Sequence, residues 1–278
     1  MMRVVATILH FNSPDGTREV VRRLAAQTRP PDAVVLVDNG SREAVDLAEV
    51  SGPLLVDVLC NETNLGVGAG HNRAIQHALD AHAADAVWVL EHDTFPDADC
   101  LEALLRVHAA AAAPAVVATE LTRNNYERQW LPKPASDGEA LPRVTLNGPL
   151  LPREVIDLVG LLNEELFVGQ EDWEYSERLA AAGVPIVRAA TAVALHANKG
   201  DGRFGREASP TRLYYSGRNR IALASAGRVG LAARMLGGAA VDLFTRGRGR
   251  VYAAARWHAG VDGLRGNLGP RAYRFMLR

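Results

Sequence analysis

Short apolar runs alternate with amphipathic stretches along most of the chain. Apolar runs bounded by turn residues are typical of buried strands, and apolar residues three and four apart are typical of helices. The pattern predicts strands over 4–9, 33–37, 54–59, 86–90, 115–119, 144–146 and 184–188, with a further strand ending at His196. It predicts helices over 14–27, 42–49 and 97–112, one from a glycine-rich turn at 64–70 to 82, one ending at 159, and one beginning at 169.

This order of elements predicts an α/β fold with a mostly parallel sheet. In such a sheet, ligands bind beyond the carboxyl ends of the strands. Residues 121–141 break the pattern and predict a polar excursion, either an acceptor-side loop or a surface insertion. Residues 211–278 look helical, with interrupting glycines. We therefore expect a main domain over 1–210 and a basic helical segment over 211–278.

The net charge of −1 hides a strong asymmetry along the 278 residues. Residues 211–278 contain 13 arginines against only Asp242 and Asp262, whereas the preceding part is acidic. Such a split predicts an anionic partner for the C-terminal segment. Cys60 and Cys100 lack a CxxC spacing, so we expect two reduced core cysteines. With neither a signal-peptide pattern nor an uninterrupted membrane-spanning run in the sequence, a cytoplasmic protein is expected.

Polar side chains follow several predicted strands. Asp38 ends the strand over 33–37, Glu91 and Asp93 follow the strand over 86–90, and His196 ends a third. Carboxylates and imidazoles are metal ligands and proton acceptors. Because the carboxyl ends of parallel strands meet at one edge, these residues predict a site there.

A second acid cluster, Glu171, Asp172 and Glu174, lies in the first turns of the helix predicted from 169. The positive end of the helix dipole favours acids in the first turn, which by itself would explain the cluster. The acids and histidine at the strand ends argue for a chemical role as well. Together they supply what a metal and proton-transfer site needs.

The motifs and their order resemble the inverting family 2 glycosyltransferases with a GT-A fold, especially the rhamnosyltransferase-like members. The resemblance covers roughly residues 3–220 and implies a three-layer α/β/α domain. The motifs that carry it are Val37-Asp38-Asn-Gly-Ser, Asn64-Leu-Gly66-Val-Gly-Ala-Gly-His-Asn72-Arg73, Trp88-Val-Leu-Glu91-His-Asp93, Gly169-Gln-Glu171-Asp172-Trp173-Glu, Leu195-His196-Ala and Tyr214-Tyr-Ser-Gly-Arg218-Asn-Arg220.

For the reaction, the resemblance implies a divalent metal, Mg²⁺ or Mn²⁺, held by Asp93 and His196. A nucleotide sugar leaves a diphosphate, and a cation stabilises the developing negative charge. Glu91 stands where the family usually has aspartate, and would contact the ribose or a metal-bound water. Asp172 matches the catalytic base that takes the proton of the acceptor hydroxyl.

For the substrates, the resemblance implies that Asp38 accepts from the base of a dTDP- or UDP-sugar. Asn64, Gly66, Asn72 and Arg73 would lie along the donor, and Arg218 or Arg220 would meet its diphosphate. On the acceptor side, Glu171 orients the hydroxyl compound, and Trp173 either stacks on a sugar or fills the core, with the core preferred. Rhamnose is the default sugar, with galactofuranose and other hexoses open.

The sequence leaves alternatives open for the role of the basic segment and for the function of the whole chain. The basic segment 211–278 either contacts a membrane surface or a lipid-linked acceptor, or it forms a subunit interface or a cap on the acidic domain. Nucleic acid is not expected, because no recognition module accompanies the charge. Finally, a non-catalytic sugar-nucleotide-binding or scaffold protein with a degenerate metal motif would carry the same fold.

Overall fold

The computed structural model describes residues 2–123, 127–128, 136–197, 209–244, 249–273 and 276. The described chain forms two compact units. The first comprises Met1–Leu65, Ala69–Leu162 and Tyr175–Lys199, and the second comprises Gly66–Gly68, Asn163–Glu174 and Gly200–Arg278. The domain division expected near residue 210 stays a prediction.

The first unit is built around a mixed, mostly parallel sheet. Its strands are β1 (Val4–His10), β2 (Ala33–Asp38), β3 (Val56–Cys60), β4 (Ala86–Glu91), β5 (Thr94–Pro96), β6 (Val116–Arg123), β7 (Glu127–Arg128), β8 (Ala140–Leu141), β9 (Leu150–Pro152) and β10 (Ile186–His196). The order is β3-β2-β1-β4-β9-β6-β10-β5, with β7 and β8 attached to β6 and β10. Strand β9 runs antiparallel between β4 and β6, and β5 runs antiparallel to β10.

The helices are α1 (Pro14–Ala25), α2 (Val67–Ala81), α3 (Cys100–Ala110), α4 (Arg153–Val159), α5 (Glu171–Ala181), α6 (Pro210–Leu223), α7 (Arg228–Leu243) and α8 (Gly249–Arg265). Apolar residues of α1 and α3 share one core with the alternate residues of β1, β2 and β4. On the other face, Gly70 of α2 lies so close to Leu9 that an added Cβ would come within 2.4 Å of its Cδ1. Helices therefore cover both faces, as the three-layer prediction required.

Several sequence predictions need correction. The helix expected over 42–49 does not form, because Val45, Leu47 and Val50 pack on the core at spacings of two and three from an irregular segment. No strand forms over 144–146, and β9 begins only at residue 150. Cys100 is buried as expected, but Cys60 is exposed, because alternate residues of the edge strand β3 face outward.

Two of the predicted strands are parts of one longer strand. The strand over 184–188 and the strand ending at His196 are one strand, β10, with an irregular register between Ala189 and Val193. Within the polar excursion expected over 121–141, residues 124–126 and 129–135 lie outside the described residues. Within the described part of the chain, no helix is long and apolar enough to cross a membrane.

The second unit contains α6, α7 and α8. Tyr214 and Tyr215 of α6 form a small core with Ala255 and Ala259 of α8. Gly263 permits this close packing, because a Cβ there would lie 2.7 Å from the side chain of Ile221.

Candidate active site

Four strands end in polar side chains at the carboxyl edge of the sheet. His10, Asp38, Glu91 and His196 are the last residues of β1, β2, β4 and β10. Three of these were predicted as site residues from the sequence, and the sheet aligns His10 with Asp38 and Leu9 with Glu91. The edge is therefore the predicted location for a ligand.

Asp93 and His196 are brought together by strand pairing. Strand β10 pairs antiparallel with β5, which sets His196 opposite Thr94. The amide of Ala197 donates to the carbonyl of Asp93 at 2.9 Å, and His196 Nε2 lies 3.4 Å from Asp93 Oδ2. Two residues more than 100 positions apart thus face each other, as the predicted metal pair must.

The chemistry of this pair fits a divalent cation. Asp93 Oδ1 is a buried oxygen without a hydrogen-bond partner among the described residues. A buried, unpaired carboxylate oxygen is costly unless a cation or donor satisfies it. One carboxylate and one imidazole suit Mn²⁺. They also suit Mg²⁺ when water and phosphate oxygens complete its coordination shell.

Glu91 lies beside a histidine that the sequence reasoning did not single out. His71, fully buried, has its Nε2 3.9 Å from Glu91 Oε1. Burial by itself raises the pKa of Glu91, but the imidazoles of His71, His196 and His92 together bring that pKa below its usual value. Glu91 is thus an ionised carboxylate at neutral pH, set among imidazoles.

Asp38 is held in the turn that follows β2. Its Oδ1 accepts the amide of Ser41 at 2.8 Å, and the residue is 7% exposed. Gly40 completes the turn at φ +78°. The turn geometry expected for Asp-Asn-Gly therefore forms, and it fixes the carboxylate at the sheet edge.

A network of amide side chains ties Asn64 to the sheet. Asn39 donates to Asn64 Oδ1 at 3.1 Å and accepts from Asn61 at 2.9 Å. Arg73 reaches the same network, donating to the carbonyl of Cys60 at 2.8 Å and to Asn61 Oδ1. Asn39 and Asn61 were missed from the sequence, although each lies two residues beyond the end of a predicted strand and directly follows β2 or β3.

Asn72 has a different local role. Its side chain is buried, donates to the carbonyl of Leu162 at 2.9 Å and accepts the amide of Leu162 at 2.9 Å. This reciprocal pair fastens the segment before residue 163 to α2. Its expected contact with a donor stays a prediction.

In the second unit, an unusual backbone run precedes α5. Phe167, Gly169 and Gln170 all have positive φ, at +64°, +84° and +78°. Gly66, at φ +92°, packs against this run so closely that a Cβ would lie 2.5 Å from the carbonyl oxygen of Phe167. The amide of Val67 donates to that same oxygen at 2.6 Å.

The acidic cluster opens α5 as predicted. Glu171 and Asp172 are its first residues, and Asp172 Oδ1 accepts the amide of Trp173 at 2.8 Å. Trp173 is 37% exposed, so the preference for a core role was wrong.

Arg218 and Asn219 hold the positive-φ run from the same unit. Arg218 is fully buried and donates to the carbonyls of Glu165 and Leu166 at 3.1 and 3.0 Å. Asn219 Nδ2 donates to the carbonyls of Leu166 at 2.8 Å and Gly169 at 2.6 Å. The expected contact of Arg218 with a diphosphate stays a prediction, and Arg220 of the same motif is exposed.

Two solved structures that resemble this chain in fold are glycosyltransferases. GalNAc-T7 with UDP, GalNAc and Mn²⁺ aligns with a TM-score of 0.65 at 14% identity, over 97% of this chain and 55% of that one. The mannosyltransferase PcManGT of Pyrobaculum calidifontis, in complex with GDP-Man and Mn²⁺, aligns with a TM-score of 0.58 at 16% identity, over 94% and 87% of the two chains. The fold is that of the GT-A glycosyltransferases.

The chain belongs to glycosyltransferase family 2. The model of this family, Glycosyl transferase family 2, matches residues 6–156. A curated relative, galactofuranosyltransferase GlfT1 of Mycolicibacterium smegmatis, is 29% identical over 193 residues. That match covers 62% of this chain and 64% of the relative, so the chain spans less than two thirds of the relative's length.

Proposed function

We propose that this protein is an inverting, divalent-metal-dependent glycosyltransferase that moves a sugar from a UDP- or dTDP-sugar to a hydroxyl acceptor. The observation that carries the proposal is the Asp93–His196 pair, at 3.4 Å, with a buried carboxylate oxygen that lacks a partner among the described residues. A family 2 sequence and a GT-A fold support it.

In this proposal, Asp93 and His196 hold Mg²⁺ or Mn²⁺. A bound cation supplies charge stabilisation to the leaving diphosphate. Asp38 accepts from the base of the donor, and Glu91 contacts the ribose or a metal-bound water. The remaining donor residues, Asn64, Gly66, Asn72, Arg73 and Arg218, shape or brace the donor side.

Asp172 is the proposed base of the reaction. Its carboxylate takes the proton of the acceptor hydroxyl while that oxygen attacks the anomeric carbon from the face opposite the diphosphate. One displacement of this kind inverts the anomeric configuration and needs no protein nucleophile. Glu171 orients the acceptor, and the exposed ring of Trp173 stacks on it.

The donor sugar is the least defined part of the proposal. Rhamnose follows from the motif resemblance, whereas the relative at 29% identity is a galactofuranosyltransferase. We therefore place UDP-galactofuranose first in a donor panel and dTDP-rhamnose second. For the acceptor, a lipid-linked glycan, a polysaccharide and a small natural product remain open.

The test is nucleoside diphosphate release with each donor, with and without Mn²⁺. We expect metal-dependent turnover that falls by about 10² to 10⁴-fold in Asp172→Asn, the usual contribution of a general base. Donor binding, measured by calorimetry, should be retained in that variant. The matched control is Asp157→Asn, which alters an exposed aspartate of α4 and should keep full turnover.

The same experiment separates the enzyme from its alternative. A non-catalytic sugar-nucleotide-binding or scaffold protein would bind a donor but show no metal-dependent turnover with any acceptor. Equal turnover in the wild type and Asp172→Asn would contradict the assigned base. Equal turnover of the wild type with and without a divalent metal would contradict the role of Asp93 and His196.

A further inference from the structure

Three side chains of metal-binding types meet away from the Asp93–His196 pair. Asp57 Oδ2 lies 2.6 Å from His77 Nε2 and 2.9 Å from His82 Nε2. His77 belongs to α2, His82 follows its last residue, and Asp57 belongs to β3. Among the described residues, this is the one set of three histidine, cysteine or acidic residues whose ligand atoms lie within 4.8 Å of one another.

The cluster is separate from the Asp93–His196 pair. Asp57 pairs with Val35 of β2, which pairs with Thr7 of β1, which pairs with Val89 of β4. Three strand spacings therefore separate Asp57 from β4, about 14 Å across the sheet. His196 lies on β10, six positions along the sheet from β3. A metal held by Asp57 therefore cannot share ligands with the Asp93–His196 pair.

The ligand set is selective for one class of cation. Two imidazoles and one carboxylate suit Zn²⁺ and similar transition metals, whereas Mg²⁺ and Ca²⁺ prefer oxygen ligands throughout. Ligand atoms of a tetrahedral zinc are about 3.3 Å apart. The observed separations of 2.6 and 2.9 Å need only a small side-chain movement to reach that value.

The surroundings allow that movement and a further ligand. The side chains of His77 and Asp57 are 30% and 34% exposed, whereas His82 is 8% exposed. Two partly exposed ligands can rotate, and water can reach the fourth position. The buried His82 keeps one ligand fixed.

We propose that Asp57, His77 and His82 form a structural site for Zn²⁺ or a chemically similar divalent transition metal. Such a site would join the end of α2 to the edge strand β3. The alternative is a purely hydrogen-bonded contact, in which the carboxylate accepts from both imidazoles and no metal binds. The two readings differ in zinc affinity, which can be measured directly.

The test uses the full chain in a His196→Ala background, so that the Asp93–His196 pair cannot supply a competing site. Calorimetry with zinc chloride should give one Zn²⁺ per chain in this background. Adding His77→Gln, which keeps a donor for Asp57 but removes the imidazole, should weaken binding by about tenfold or more. The matched control adds His108→Gln on α3 and should leave zinc affinity unchanged.

A second measurement guards against a folding defect. Zn²⁺ should raise the unfolding temperature of the His196→Ala protein, because it binds only the folded state. Asp57→Asn in the same background should remove that rise. Absence of zinc binding in the His196→Ala protein overturns the site. Equal zinc affinity after His77→Gln and after His108→Gln in that background overturns it as well. None of these readouts needs catalytic activity, so failure of the proposed function would leave them interpretable.

Discussion

Asn219 shows how one side chain can stabilise an unfavourable backbone. Positive φ at a non-glycine residue costs about 1–3 kcal/mol, and both Phe167 and Gln170 adopt it. The Asn219 amide donates to the carbonyls of Leu166 and Gly169 on either side of Phe167 and Val168. Its Oδ1 accepts from Arg218 at 2.8 Å. The run before α5 therefore depends on this residue.

We predict that Asn219→Ala destabilises the protein by about 3 kcal/mol, because buried carbonyls and the Arg218 guanidinium lose their partner. Urea denaturation followed by circular dichroism measures the change. Asn267→Ala is the control, since it removes only a 3.3 Å hydrogen bond to Asp262 and should cost under about 1 kcal/mol. Equal effects of both substitutions would contradict the role of Asn219.

At the scale of elements, a carboxylate links α6, α8 and the segment after α8. Asp262 Oδ2 accepts from Tyr214 at 2.7 Å and from Tyr273 at 2.5 Å. Burial by itself raises the pKa of Asp262, but hydrogen bonds from Tyr273, Tyr214 and Asn267 bring it below its usual value. The ionised carboxylate is thus more favourable in the folded state than in the unfolded chain.

This arrangement predicts an acid-dependent loss of stability. A lowered folded-state pKa stabilises the fold above the unfolded pKa of about 3.9, and the gain disappears as pH falls through the folded value. Asp262→Asn should lose about 2 kcal/mol at pH 7, with the difference from wild type shrinking below about pH 4. Denaturation across pH measures it. Asp80→Asn, on the exposed side of α2, should show little difference at either pH.

The elements also show what a linear pattern can and cannot specify. The strands at 4–9, 33–37 and 86–90 were predicted within one residue of β1, β2 and β4, because their apolar runs are bounded by turns. The helix expected over 42–49 does not form, because the apolar residues at 45, 47 and 50 pack on the core from an irregular segment. A short segment with few apolar residues is compatible with a helix or with an irregular segment, and its packing against the core decides which one forms.

At the scale of the whole molecule, charge and exposed apolar surface coincide in residues 211–278. Arg220, Arg234, Arg250 and Arg265 are exposed, whereas Arg218 is buried and Arg256 pairs with Asp242 at 2.8 Å. Large apolar side chains are exposed in the same part of the chain, namely Val229 at 75%, Val241 at 63%, Leu243 at 59%, Phe244 at 90% and Trp257 at 55%. Peripheral contact with an anionic membrane therefore stays our prediction, with a subunit interface as the alternative.

We predict that the full chain co-sediments with vesicles containing anionic lipid, and that added salt weakens this binding. Phe244→Ser should weaken it about tenfold, the value of burying one large apolar side chain. Leu158→Ser, a change at another exposed apolar position on α4, should not weaken it. Equal binding to neutral and to anionic vesicles would contradict a contribution of electrostatic attraction to the membrane contact. Concentration-dependent dimerisation lost in Phe244→Ser would instead favour the interface.

The sequence by itself determined most of the long strands and helices, the polar residues at the strand ends and the acidic start of α5. These are local features, carried by periodicity and by turn residues within a few positions. Only the tertiary structure decided which of them meet. Strand β10 reaches Asp93 through its pairing with β5, and Asp57 meets His77 and His82 where α2 crosses the edge strand. Contacts between residues distant in sequence depend on strand order and register, which no local pattern specifies.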